Sequence, residues 1–210
     1  MIIIKNSKNK IVSIGQYKIL DVLQTSDDKD IYHVQDLKKP FKEFTFKILK
    51  AHQNAKQINN EIEVLGILNQ YKETLNFHNV QILSNKLIFM FDYAKGSNLR
   101  YILEENESFF DQDKIMLFID NILTLLNIYR KHNILHNNIK TENIIYDGAK
   151  FYLIGLSKSY VVSSDDKKFD NSLDMDLFSE ILVNILDGKI NINIQKVEKL
   201  INKHFLKSDY

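Results

Sequence analysis

Ile134-Leu135-His136-Asn137-Asn138-Ile139-Lys140-Thr141-Glu142-Asn143-Ile144-Ile145 is the stretch on which the reading of the fold turns. It is a polar loop between apolar elements. Upstream, Ile115, Phe118, Ile122, Leu125 and Tyr129 recur at helical spacing, with Asp111 placed as an N-cap and Asn133 as a left-handed stop. A helix of about five turns is expected. Downstream, Ile144-Ile145-Tyr146 and Phe151-Tyr152-Leu153-Ile154 flank Asp147-Gly148, a strong signal of a tight hairpin.

Further toward the N-terminus, Ile11 to Leu49 holds short β-branched and aromatic runs separated by polar clusters, the pattern of successive antiparallel strands. Phe44 to Leu49 alternates, placing Thr45, Lys47 and Leu49 on one face. A helix is expected from roughly Gln53 to Tyr71, where Ile58, Leu65 and Leu68 form one stripe. Glu61 lies within that stripe and points inward, whereas Glu63 falls beside Asn59 and Asn60 on a wetter face. Two more strands, Val80 to Leu83 and Leu87 to Phe91, are joined by Ser84-Asn85 as a tight turn. Asp92 to Ser97 then reads as a connector into a mainly helical second half. That half ends in a polar segment, Ser157 to Asn171, and an apolar helix from about Leu173 to Leu186 that stops at Asp187-Gly188.

Composition narrows the function classes. With 210 residues and 44% hydrophobic content the chain can bury a real core. Its 28 basic and 27 acidic residues give a net charge of +1, no bulk reason to bind nucleic acid or an acidic membrane. Any partner is chosen locally. The absence of cysteine excludes disulfides and thiolate metal sites and fits a reducing, cytoplasmic setting. The start lacks the length and charge order of a signal peptide, and Asp120, Asn121 and Asn127 interrupt the most apolar stretch, so no membrane insertion is expected. His33, His52, His78, His132 and His204 share no ligand spacing with one another, so no zinc site is expected.

The opening stretch resembles the catalytic loop of protein kinases, His-Arg-Asp-Leu-Lys-x-x-Asn. His136, Lys140 and Asn143 keep type and spacing, while Asn137 stands at the arginine and Asn138 at the catalytic aspartate. The likeness continues in register over roughly Ile19 to Lys189. Lys47 resembles the strand lysine that holds nucleotide phosphates, Glu61 its helix partner, Phe91 the gatekeeper and Asp92-Tyr93 the hinge. Leu153-Ile154-Gly155 occupies the place of Asp-Phe-Gly, and Asp174 resembles the buried aspartate that accepts hydrogen bonds from the catalytic-loop backbone. The resemblance implies an α+β, two-lobe fold: residues 1–92 as an N-lobe with a five-stranded antiparallel sheet and one helix, and 93–210 as a mainly helical C-lobe. Only Ile190 to Tyr210 follow the central helix, so the C-lobe is expected to be shortened.

For chemistry the resemblance implies loss. An amide at Asn138 cannot take a proton near neutral pH, and Leu153 cannot coordinate magnesium. The glycine-rich loop is missing from Leu23 to Ile31, where Asp27, Asp28 and Asp30 would repel a triphosphate. Lys47, Glu61, Asp92 and Asn143 are left as a vestigial nucleotide pocket, with weak ATP binding at most and no cofactor expected. Lys47 and Glu61 are equally explained as a structural tie between sheet and helix. Asn137 offers no cation to clamp a phosphorylated segment, so Ser163 and Ser164 read as solvated. The expectation is therefore a non-enzymatic pseudokinase, a scaffold or allosteric regulator binding a protein such as a kinase or another signalling protein. Two alternatives stand beside it: an atypical phosphotransferase with carboxylates relocated to Asp147, Asp165 or Asp166, and a nucleotide sensor without catalysis. In the tail, Lys196, Lys199, Lys203 and Lys207 recur at helical spacing as a solvated face.

Overall fold

Alternating apolar and polar residues produce the strands expected in the first half of the chain. The computed structural model describes residues 3–5, 11–50, 54–83, 86–163, 169–187 and 193–206. The turn expected at Ser84-Asn85, the stop at Gly188, and Ser164, Asp165, Asp166 and Lys207 lie outside the described residues. The chain divides into two units, Met1–Ala55 with Leu75–Ala94 and Lys56–Thr74 with Lys95–Tyr210.

The first unit is one antiparallel sheet of β1 (Ile3–Lys5), β2 (Ile11–Ile14), β3 (Tyr17–Thr25), β4 (Lys29–Asp36), β5 (Glu43–Leu49), β6 (Phe77–Leu83) and β7 (Lys86–Asp92), in the order β1-β2-β3-β4-β5-β7-β6. It has seven strands where five were expected. The extra pair arises because Gly15, at φ 59°, turns β2 back onto β3, where Ile14 faces Tyr17. Ile14 is fully buried and joins Tyr32, Val34, Phe44, Phe46, Ile48, Ile88 and Met90 in one core cluster. Each such aromatic or aliphatic side chain contributes about 1.5–3 kcal/mol by leaving water. With Phe44, Phe46 and Ile48 in that core, the pleat puts Thr45, Lys47 and Leu49 on the opposite face, as the alternation predicts.

The second unit holds α1 (Ala55–Leu68), α2 (Leu99–Glu105), α3 (Gln112–Lys131), α4 (Ser172–Leu186) and α5 (Ile194–Leu206). Its short strands are β8 (Ser97–Asn98), β9 (Ile134–Leu135), β10 (Ile144–Tyr146), β11 (Phe151–Leu153) and β12 (Tyr160–Val161). They form one sheet ordered β11-β10-β8 and a β12-β9 pair. Asp111 caps α3 by accepting the Lys114 N–H at 2.8 Å, and Asn133 follows the helix at φ 52°. The apolar stripe of α3 is buried from Ile115 to Tyr129, and the rings of Phe110, Phe151 and Phe178 gather around Phe118 at 5.2–5.8 Å. Where β8 meets β10 no side chain fits at Gly96, since a Cβ there would lie 1.9 Å from the Tyr146 carbonyl oxygen.

Helix α1 buries Glu61 together with Val64, Leu65 and Leu68, as its stripe predicts. Its exit is tied within the same unit: Tyr71 Oη lies 2.5 Å from His132 Nε2, and Lys150 Nζ donates to the Lys72 carbonyl at 2.9 Å. The tail is a docked helix. Val197 is buried, Asn127 Nδ2 donates to the His204 carbonyl at 3.4 Å, and His204 Nε2 meets Asp120 Oδ1 at 3.1 Å. Lys196 and Lys199 are exposed, and Lys203 reaches Asp120 at 3.7 Å. Among the described residues no helix is long and apolar enough to cross a membrane.

Candidate functional site

The loop between β9 and β10 is organised from beneath by Asp174, which the first turn of α4 places in the core at 2% exposure. Its Oδ2 accepts the His136 N–H at 2.7 Å and its Oδ1 the Asn137 N–H at 2.8 Å. Burial raises the Asp174 pKa, and those two N–H donors oppose the rise. Asn137 takes the left-handed conformation at φ 53° that lets the loop reverse here.

His136 is fully buried and lies parallel to the Tyr129 ring at 5.8 Å. Burial pushes its pKa down to about 4, partly offset by the bond to Ile154. The neutral ring is assigned a proton on Nε2, which faces the Ile154 carbonyl at 3.1 Å, leaving Nδ1 to accept the Asn138 N–H at 3.2 Å. Ser159, 2% exposed, donates its hydroxyl to the His136 carbonyl at 3.0 Å. This serine was read only as part of a polar segment, Ser157 to Asn171. Its partner is 23 residues away, and no local pattern marks it.

Asn138 and Asn143, singled out from the sequence, come together. Asn143 Nδ2 donates to the Asn138 carbonyl at 2.7 Å, while Asn138 Nδ2 donates to the Gly155 carbonyl at 3.0 Å. The Ile154 N–H closes the arrangement on the Asn143 carbonyl at 2.8 Å. Gly155 sits at φ 85°, and a Cβ there would approach Asn143 Oδ1 to 2.6 Å, so only glycine fits. Leu153 is 5% exposed on β11, opposite Ile144.

In the first unit, Lys47 is 7% exposed and its Nζ lies 4.2 Å from the centroid of Phe89, on the neighbouring strand. Asp92 ends β7, its Oδ1 2.6 Å from His78 Nε2. Tyr93 stacks on His33 at 3.5 Å, and His33 Nε2 reaches Glu43 at 3.1 Å. The glycine-free turn between β3 and β4 is strapped by Lys50, whose Nζ donates to the Ser26 carbonyl at 2.6 Å and lies 2.9 Å from Asp30 Oδ1. The latter is a charge contact without hydrogen-bond alignment. Ser26 donates to Asp28, and that bond is the main reason the Asp28 pKa is lowered. Neither the Lys50 strap nor the His33–Tyr93 stack was read from the sequence, since both depend on strand register.

Magnesium is the ion a kinase-like loop implies, and the donors among the described residues do not fit it. It asks for an octahedron of oxygens that includes carboxylates. Here Leu153 replaces one, Asn138 points its amide N–H at Gly155, and Asn143 adds a single amide oxygen. Asp147, a candidate for a relocated ligand, is committed to its turn. Its Oδ1 accepts the Ala149 and Lys150 N–H groups at 2.9 Å, and its Oδ2 accepts the Tyr152 hydroxyl. Burial pulls the Asp147 pKa up, and these donors outweigh it and hold the group low. No cluster of three metal-ligating side chains occurs among the described residues.

A buried aspartate holding a histidine-led loop, with an asparagine five residues after the loop's catalytic position, defines a protein-kinase-like frame. Comparison with known proteins agrees. Residues 9–173 match the family of the protein kinase domain, and the chain belongs to that family. It is 26% identical to the serine/threonine-protein kinase Nek8 of Danio rerio over 171 residues, which cover 75% of this chain and 23% of Nek8. It is 29% identical to the serine/threonine-protein kinase Nek9 of Xenopus laevis over 97 residues, 46% of this chain and 10% of that protein. The chain therefore spans less than a quarter of the length of either relative. A crystal structure of a kinase domain superposes with a TM-score of 0.73 at 16% identity, covering 83% of this chain and 65% of that one, a likeness of fold.

These matches correct one expectation. The chain was read as a non-enzyme because of Asn138 and Leu153, yet it falls within an enzyme family and beside relatives named as serine/threonine-protein kinases. The reading failed because it took those positions, with the glycine-free loop from Leu23 to Ile31, as decisive. Those residues mark how the site departs from the family pattern, and they do not remove the chain from a family of phosphotransferases.

Proposed function

We propose that this protein kinase domain works as a protein-binding scaffold or allosteric regulator in the cytoplasm, presenting the kinase frame to a partner such as a kinase or another signalling protein. One observation carries the reading: Asn138, at the position of the family's catalytic carboxylate, spends its side chain on the Gly155 carbonyl and so serves the loop's own shape. The burial of Asp174 and Ser159 against the same loop supports it, since both hold backbone groups in place. In this reading nucleotide plays a minor part, with weak ATP binding at most. The test is affinity purification of the chain from its native cell, with a stoichiometric protein partner expected. If none is retained, the reading fails.

A second reading is an atypical phosphotransferase, favoured by the family match and by Lys47, Glu61 and Asn143, whose residue types are those of the family. It requires transfer of the ATP γ-phosphate to a hydroxyl that is abolished by Lys47→Ala.

A further inference from the structure

Leu37-Lys38-Lys39-Pro40-Phe41-Lys42 joins β4 to β5, and all six residues are exposed. Phe41 is 80% exposed and Leu37 55%. Single exposed apolar residues are ordinary, but here two share a tip with three lysines and no acid. Lys18 adds a fourth exposed cation on the neighbouring strand, opposite Gln35.

The tip is held in shape by its own hydrogen bonds. Asp36, 6% exposed, accepts the Lys38 N–H at 2.8 Å and the Gln16 side-chain amide at 3.2 Å. The Asp36 N–H donates to the Lys42 carbonyl at 3.0 Å, and the Lys42 N–H to the Lys39 carbonyl at 2.8 Å. The Lys39 N–H meets the Asp36 carbonyl at 3.1 Å, the Leu37 N–H meets the Gln16 carbonyl at 3.0 Å, and Gln35 Nε2 donates to the Pro40 carbonyl at 2.7 Å. Pro40 fixes one φ and removes one donor. The fold thus holds Phe41 and Leu37 in water, where they contribute nothing to its core.

We infer that this loop is a docking tip for an anionic lipid surface. Phe41 and Leu37 enter the headgroup boundary while Lys38, Lys39 and Lys42 face acidic headgroups. The charge complementarity is local, because the whole chain carries only +1. Size decides between a bilayer and a protein groove. A six-residue tip is small beside the roughly 20–30 residues a side of a standard protein interface. A bilayer demands no matched shape and rewards each lysine and each buried carbon separately. The contact is adsorption, with no helix crossing the bilayer.

Co-sedimentation of the full 210-residue chain with phosphatidylcholine vesicles, with and without phosphatidylserine, tests this. Binding is expected only with phosphatidylserine, weakening as salt rises. It falls by roughly tenfold or more in a Lys38→Glu, Lys39→Glu double variant and also falls in Phe41→Ser, with unfolding midpoints kept at the parent value. Equal binding to both vesicle types, no binding to either, or parental binding by the variants overturns the inference. Capture of an acidic protein through the same lysines and Phe41, without vesicle binding, overturns it in favour of a protein partner.

Discussion

Asn138 gives its side-chain amide to the carbonyl oxygen of Gly155, 3.0 Å away, while its own carbonyl receives the Asn143 amide at 2.7 Å. Where the resemblance to protein kinases places a proton acceptor, this side chain is a donor.

Restoring the family's residue therefore carries a cost. In Asn138→Asp a carboxylate oxygen replaces the N–H facing the Gly155 carbonyl, and stability is expected to fall by about 1–3 kcal/mol in urea denaturation. A variant as stable as the parent would show that the amide bond contributes nothing to the loop.

Asp174→Ala leaves the His136 and Asn137 N–H groups without their buried acceptor, and a loss of roughly 2–5 kcal/mol is expected. Gly155→Ala strains a residue at φ 85° and presses a Cβ on the Asn143 amide, for a further loss of about 1–3 kcal/mol when measured alone. Denaturant midpoints at unchanged slope check both.

Much of this frame was legible in sequence, because its cues are local or periodic. Asp111 and Asn133 bounded α3, the Thr45-Lys47-Leu49 alternation gave one face of β5, and the spacing of His136, Lys140 and Asn143 located the loop. Asp174 was legible only through the family resemblance. What escaped was set by long-range pairing. Ser159 finds His136 across 23 residues, Lys50 finds the Ser26 carbonyl across 24, and the β1–β2 extension exists because β3 offers it an edge. Membership of the protein kinase family was legible in the same loop; the expectation of a non-enzyme was overturned, since a few substituted positions were weighed above a match that runs from residue 9 to 173.

His136 makes stability depend on pH. Its folded pKa, about 4, lies below the ordinary 6.5, so the unfolded chain binds the extra proton between those values. Its stabilising contribution is complete above pH 6.5, shrinks as pH falls, and is lost once pH passes below the folded value, about 3 kcal/mol in all. Asp174, with its pKa raised, acts in the opposite sense at the acid end. Urea titrations between pH 7 and 5 should show a slope that flattens in His136→Gln. An unchanged slope would contradict a buried neutral ring.

Nucleotide should move the protein little. At a hundred times its dissociation constant a ligand stabilises by about 2.7 kcal/mol, a shift easily seen in thermal unfolding. With millimolar ATP and magnesium no such shift is expected, given that the donors among the described residues do not fit the ion. A clear rise in midpoint, abolished by Lys47→Ala, would favour the phosphotransferase reading.

The central claim is that the kinase frame, rather than nucleotide chemistry, binds the partner. The most direct measurement is the yield of the co-purifying partner protein with parent, Lys47→Ala and Asp174→Ala chains expressed at matched levels in the native cell. The account predicts full retention by Lys47→Ala and loss in Asp174→Ala, whose catalytic loop has lost its support. Loss of the partner in Lys47→Ala, or recovery of it only with ATP present, would contradict the account.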